Sequence, residues 1–68
     1  MRTVTLDEWE TLEDLPHGTA VFAAGQRIVM NREDPYVQRP FFDCEDGGYL
    51  ATNHVFSYFD VDTVLVAD

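Results

Sequence analysis

The run Leu15–Asn31, LPHGTAVFAAGQRIVMN, carries the punctuation of a β-hairpin. Pro16 and Gly18 are turn residues, Thr19–Ala24 is a β-branched and aromatic run, and Arg27–Asn31 is a second apolar run. Between them, Gly25-Gln26 suits a two-residue turn with glycine at its first central position. Both strands are apolar at nearly every position, which predicts burial on two faces, with Phe22 and Val29 as core anchors. One face would meet a barrel interior, and the other a helix, a second copy or a partner.

Upstream, residues 2–5 (RTVT) can form a short edge strand. Thr5 stands three residues before Glu8, the spacing of a capping box, and Leu6–Asp14 reads as a short helix. Leu6, Trp9 and Leu12 form its apolar stripe. Asp7, Glu10 and Asp14 share the opposite face, with Glu13 beside it. Asp7 and Glu8 suit the positive end of the helix dipole, whereas Glu13 and Asp14 oppose its negative end. Two turns with that conflict would not persist alone, so the helix must dock through Trp9 and Leu12.

Downstream, residues 32–39 (REDPYVQR) read as a polar loop with Tyr36 at its tip, long enough to carry function. Pro40 can open a strand but not sit inside one, which starts the next at Phe41–Cys44. Glu45-Asp46-Gly47-Gly48 is a tight turn, Tyr49–Thr52 another strand, and Asn53 a cap for one helical turn across His54–Tyr58. Asp62–Ala67 alternates as a last strand. The expected fold is a single mainly β (α+β) domain over residues 1–68, with about five strands, a short N-terminal helix and one helical turn before the last strand. An SH3-like small barrel and a curved antiparallel sheet both fit that order.

The chain has 13 acidic residues against four arginines and no lysine, a formal net charge of −9 on 68 residues. That balance favours solubility and repels phosphate backbones, so direct nucleic-acid binding and adhesion to anionic membranes are not expected. A hydrophobic fraction of 46% and nine aromatic rings mark a folding chain rather than a disordered one. One domain of this size has a core worth only about 3–5 kcal/mol, so self-association or a partner is an expected source of added stability. Cys44 is the sole cysteine, and no charged segment leads into an apolar signal-like run. The expected location is a reducing cytoplasm.

Chemistry-bearing groups are sparse. Asp43-Cys44-Glu45-Asp46-Gly47-Gly48 offers three acids and a thiol, but lacks the alternating acids of a calcium loop and the paired ligands of a zinc site. A hairpin turn with an acidic flank is the better reading. His17 and His54 sit in turn and cap settings, and a nucleophile–base pair with Cys44 would need a third orienting group. Asp60-Val61-Asp62 lacks any glycine-rich phosphate loop nearby and reads as a turn. No catalytic residue, cofactor or metal is therefore expected. Of the rings Tyr36, Phe41, Phe42, Phe56, Tyr58 and Phe59, more than half should be core. Tyr36 and Tyr58 are the ones expected at a wet surface.

The string Leu15-Pro16-His17-Gly18-Thr19-Ala20-Val21, an LPxGTxV pattern after a short acidic helix, resembles small accessory proteins of actinobacterial phages and prophages. The turn Asn53–Tyr58 and the strand Thr63–Val66 are similar to later segments of that type. Those proteins usually carry a Trp-containing segment after the second strand, where this chain has Met30 and the Arg32–Arg39 loop. The resemblance implies a phage accessory protein in a host cytoplasm and transfers no catalytic residue. The expected function is a small acidic, non-enzymatic module that binds a host or phage protein. Its expected contact surface comprises Trp9, Tyr36, Tyr58, Asp7, Glu10, Asp14, Asp43, Glu45 and Asp46. Two alternatives remain. The acids could mimic nucleic-acid phosphates and block a DNA-binding protein, or the chain could be a virion or assembly component that forms homo-oligomers.

Overall fold

A computed structural model describes residues 1–67. It contains six strands: β1 (Arg2–Thr5), β2 (Ala20–Ala23), β3 (Gln26–Asn31), β4 (Phe41–Cys44), β5 (Tyr49–Ala51) and β6 (Thr63–Ala67). All pairings are antiparallel, and the strands form one open sheet in the order β1-β6-β2-β3-β4-β5. Residues 2–5 form a sixth strand beside the five expected, and β6 lies between β1 and β2. Leu6–Asp14 forms a 3-10 helix, Thr52–His54 a 3-10 turn, and α1 spans Val55–Phe59. The mainly β class, with a helix at the front and the contiguous 3-10 turn and α1 before the last strand, is therefore the fold.

Leu6–Asp14 was expected to be helical, and its geometry follows from its spacing. Leu6, Trp9, Leu12 and Leu15 recur at strict intervals of three, which three residues per turn align on one line and an α-helix would spiral apart. Long 3-10 runs are unfavourable, and this one is kinked at Glu8 (φ −106°, ψ 18°). Leu12 and Leu15 are buried beyond the kink, Trp9 packs half-buried on the core, and Leu6 before it is exposed. The expected cap is present: the Glu8 carboxylate accepts the Thr5 backbone N–H (3.4 Å) and hydroxyl (3.1 Å). Charge conflict at the other end is relieved from a distance in sequence. Arg32 donates through its guanidinium to the carbonyls of Glu13 and Leu15, placing a cation where the helix ends.

The hairpin turn falls one residue earlier than the sequence suggested. Ala23 pairs with Gln26, so Ala24 and Gly25 are the central residues, with φ of 50° and 77°. Two positive φ values are what a type I′ turn requires, and that turn matches the twist of the flanking strands. At the far end Gly18 (φ 88°) forms a bulge. Its N–H donates to the Met30 carbonyl (2.8 Å), while the Met30 N–H donates to Thr19 (2.9 Å).

Phe22 and Val29 are not the core anchors. They are half-buried on the face opposite the helices, while Val21, Ala23, Ile28 and Met30 point inward and are buried. Strand β3 explains the choice: Arg27 and Asn31 share a face with Val29, and sending that face inward would bury a guanidinium and an amide. The core combines these inward residues with Val4, Phe42, Val64 and Val66 of the sheet and with Leu12, Leu15, Val55 and Phe56 of the helical layer. The hairpin is covered on one face only.

Candidate functional site: the uncovered sheet face and the β5 edge

Strand registers place three rows on the uncovered face. Leu65, Phe22 and Arg27 form one row, and Ala67, Ala20, Val29, Asp43 and Tyr49 the next. Asn31, Phe41 and Ala51 complete the third. Ladder alternation fixes this set, because every second residue of a strand points the same way. The face is apolar at its centre. Leu65 is 43% exposed and Tyr49 70% exposed, and Phe22 and Val29 remain partly open to solvent.

Phe41 differs from its neighbours. It is buried yet lies outside the main core cluster, on the uncovered side, with its ring packed edge-on against Tyr49 (centroids 5.4 Å apart). Together with Val37, Pro40 and Ala51 this pair lines a hollow of about 200 Å³, with Arg39 and Thr52 at its margin. The loop before β4 forms one wall, and β5, a terminal strand of the sheet, forms the other.

Glu13 holds that wall to the helical layer. Its carboxylate accepts the hydroxyl of buried Thr52 (3.1 Å) and faces the Arg39 guanidinium (3.5 Å). Within the loop, Asp34 accepts the Tyr36 N–H (2.8 Å), and Tyr36 projects with 93% exposure. His17 accepts the Arg32 N–H at Nδ1 (3.1 Å), leaving Nε2 facing Glu33 at 3.4 Å. Both nitrogens of this imidazole are thus engaged in holding the loop base.

The sequence-predicted contact residues do not form one patch. Tyr36 and Tyr58 are exposed as expected, Tyr58 stacked edge-on with Phe59 at 5.0 Å. Trp9 instead packs against the core. A repeat of three groups Asp7 with Glu10 and Glu13, separating Asp14 from the expected Asp7, Glu10, Asp14 row. Asp43 lies on the uncovered face, opposite the helical layer, and Glu45 and Asp46 lie in the β4–β5 turn. There Glu45 accepts the Arg27 N–H (3.2 Å), Asp46 the Gly48 N–H (2.9 Å), and Asp43 the Asn31 amide (3.0 Å).

Burial raises the Cys44 pKa, and the Asp46 and Asp43 charges raise it further, so its thiol is kept from the reactive thiolate form. Among the described residues, no group of three or more His, Cys, Asp or Glu side chains is arranged to hold a metal ion. No helix among them is long and apolar enough to cross a membrane. Tyr49, Val37 and Glu13 were absent from the sequence-derived surface. For Tyr49 the signal was the alternation through Asp43 and the Asp-Gly-Gly turn, which sends it to the same side as Asp43; Val37 and Glu13 carry no such local signal. No family model, curated protein or solved structure matches this chain.

Proposed function

We propose that the chain is a small acidic, non-enzymatic protein-interaction module, and that it serves as a phage accessory protein acting on a host or phage protein in the host cytoplasm. The observation that carries this reading is the sheet face centred on Phe22, Val29 and Leu65, which keeps apolar groups in solvent on a highly charged small chain. Apolar surface ringed by polar groups characterises contact sites. The order of β2–β6, with a helical turn before a last strand that returns to pair with β2, supports an SH3-like scaffold for presenting that face.

Phosphate mimicry draws less support, since the helix acids and Asp43 lie on opposite sides of the sheet. Homo-oligomeric assembly would bring together copies that each carry a charge of −9.

The test is capture by the immobilised full-length protein, beside the Leu65→Asp variant. Wild type retains a defined protein through moderate salt, and the variant releases it with an unchanged melting temperature. Retention equal in both, or retention that collapses with salt, overturns the apolar contact.

A further inference from the structure

We propose that the β5 edge is a strand-addition site, taking an extended peptide that carries an apolar side chain and, two residues away, a lysine or arginine. This inference rests on the interaction reading and supplies its partner class.

Three observations converge on β5. The first is the direction of its backbone. The β4–β5 turn closes with a bulge in which Gly47 (φ 92°) donates to the Cys44 carbonyl (3.1 Å) and the Cys44 N–H donates to Gly48 (2.8 Å). Antiparallel ladders alternate, so the next bonded pair is Phe42 with Leu50. The N–H and C=O groups of Tyr49 and Ala51 consequently point away from β4, and both residues are exposed. Such an edge is a template for another strand.

The second observation is the hollow of about 200 Å³ beside that edge, lined by Val37, Pro40, Phe41, Tyr49 and Ala51. Tyr49 and Ala51 offer backbone groups outward and side chains to the hollow. A strand added there would place alternate side chains on the same face, one of them over the hollow. The opposite edge of the sheet, β1, adjoins a hollow of about 260 Å³ lined by Thr5, Leu6, Asp7, Asp62 and Thr63, which offers an apolar side chain far less.

Charge is the third. Asp43 stands across from Tyr49 on the same face, and Glu45 and Asp46 follow in the turn. The groups that donate to them are neutral N–H groups: the Arg27 and Gly48 backbone amides and the Asn31 side-chain amide. Residues two apart on an extended peptide lie about 7 Å from each other, so a cation two positions from the apolar anchor reaches these acids. A second copy of this chain would instead bring its own acidic turn against this one.

Ala51→Pro tests the backbone component directly. Ala51 has φ −64° and ψ 149°, values that proline adopts, and its N–H points away from the β4 ladder. The variant therefore keeps the fold and its melting temperature while deleting a donor to the added strand. Random displayed peptides are selected on the full-length protein, and the enriched sequences are remade as labelled synthetic peptides. Expected are an apolar–x–Lys/Arg pattern, slowed amide exchange at Tyr49 and Ala51 on binding, and at least a tenfold affinity loss in Ala51→Pro. Affinity also falls a few-fold, without being abolished, as salt rises from about 0.01 to about 0.15 M, which shortens the Debye length from about 30 to about 8 Å.

Peptides that bind wild type and Ala51→Pro equally, or that perturb Tyr36 or Tyr58 instead of β5, overturn strand addition while leaving the interaction reading intact. Absence of any enriched peptide overturns the peptide site, and the capture experiment on Leu65→Asp then judges the broader reading separately. Dimers of the wild type that Ala51→Pro dissolves would make the occupant a second copy and overturn the proposed partner class.

Discussion

The two faces of this sheet are made from the same kinds of residue, yet only one is a core. Inward stand Val21, Ile28, Met30, Phe42, Val64 and Val66, sealed by Leu12, Leu15, Val55 and Phe56. Outward stand Phe22, Val29, Leu65 and Tyr49, with no second layer over them among the described residues. Apolar composition therefore does not decide which face closes. What separates the faces is where the polar residues fall: Arg27, Asn31 and Asp43 lie in the outward rows, whereas Arg2 and Gln26 of the inward set sit exposed at the sheet edge and at the hairpin end.

The strongest way to break the comparison is a truncation on the sealed side. Leu12→Ala removes a fully buried side chain and should cost about 2–5 kcal/mol. That matches the whole stability of a domain this small, about 3–5 kcal/mol, so the variant should be largely unfolded by circular dichroism at room temperature. The next effect lies where the helical layer meets the loop. Glu13→Ala strands the buried Thr52 hydroxyl and should cost about 1–3 kcal/mol in urea unfolding. A smaller effect in Glu13→Gln, whose amide oxygen can still accept, would show that the hydrogen bond matters more than the charge.

Improving the hairpin should sharpen the contrast without touching either face. Ala24 holds φ 50°, which asparagine tolerates better, and Ala24→Asn should raise stability by roughly 0.5–1 kcal/mol. On the uncovered side, Leu65→Thr should change stability by less than about 0.5 kcal/mol, visible as an almost unmoved melting temperature. A large loss there would mean that the outward row is a second core after all.

The smallest effect concerns pH. Because the folded Cys44 thiol titrates above its ordinary value of 9.0, its contribution to stability is complete below that value. It is lost as pH rises toward the folded pKa, since the unfolded thiol ionises first. Unfolding by urea at alkaline pH should therefore be slightly easier for wild type than for Cys44→Ala, relative to the same pair at pH 7. Alkylation of the native thiol should also lag that of the denatured chain.

Much of the architecture was legible in local sequence. Pro40 marked the start of β4, Asp-Gly-Gly the β4–β5 turn, and Thr5 with Glu8 the helix start. Tyr36 and Tyr58 were correctly expected at the surface. The largest error, the choice of core anchors, depended on which of two apolar sets would face inward. Local apolarity favoured Phe22 and Val29, whereas the decision came from Arg27 and Asn31 two positions either side of Val29. Helix type was readable in the strict three-residue spacing, but Arg32 as its C-terminal cation was not, because that contact joins residues 17 and 19 apart. The β5 hollow was hidden for the same reason, since Val37 and Tyr49 meet only once β4 and β5 have paired.

The position of β6 has a consequence for how the domain is made. The strand between β1 and β2 is the last of the six to leave the ribosome, and its register sets Arg2 opposite Val66. Until it emerges, β1 has no partner and β2 carries an open inner edge, while β2 through β5 can already pair as successive hairpins. The four strands β2–β5 form a meander of local pairings, whereas β6 joins through one long-range insertion that closes a loop spanning nearly all of the residues between β1 and β6. Removing β6 would leave β2 as a second unprotected edge beside exposed Val21 and Val4, a nascent state prone to pair with another chain before its own last strand arrives.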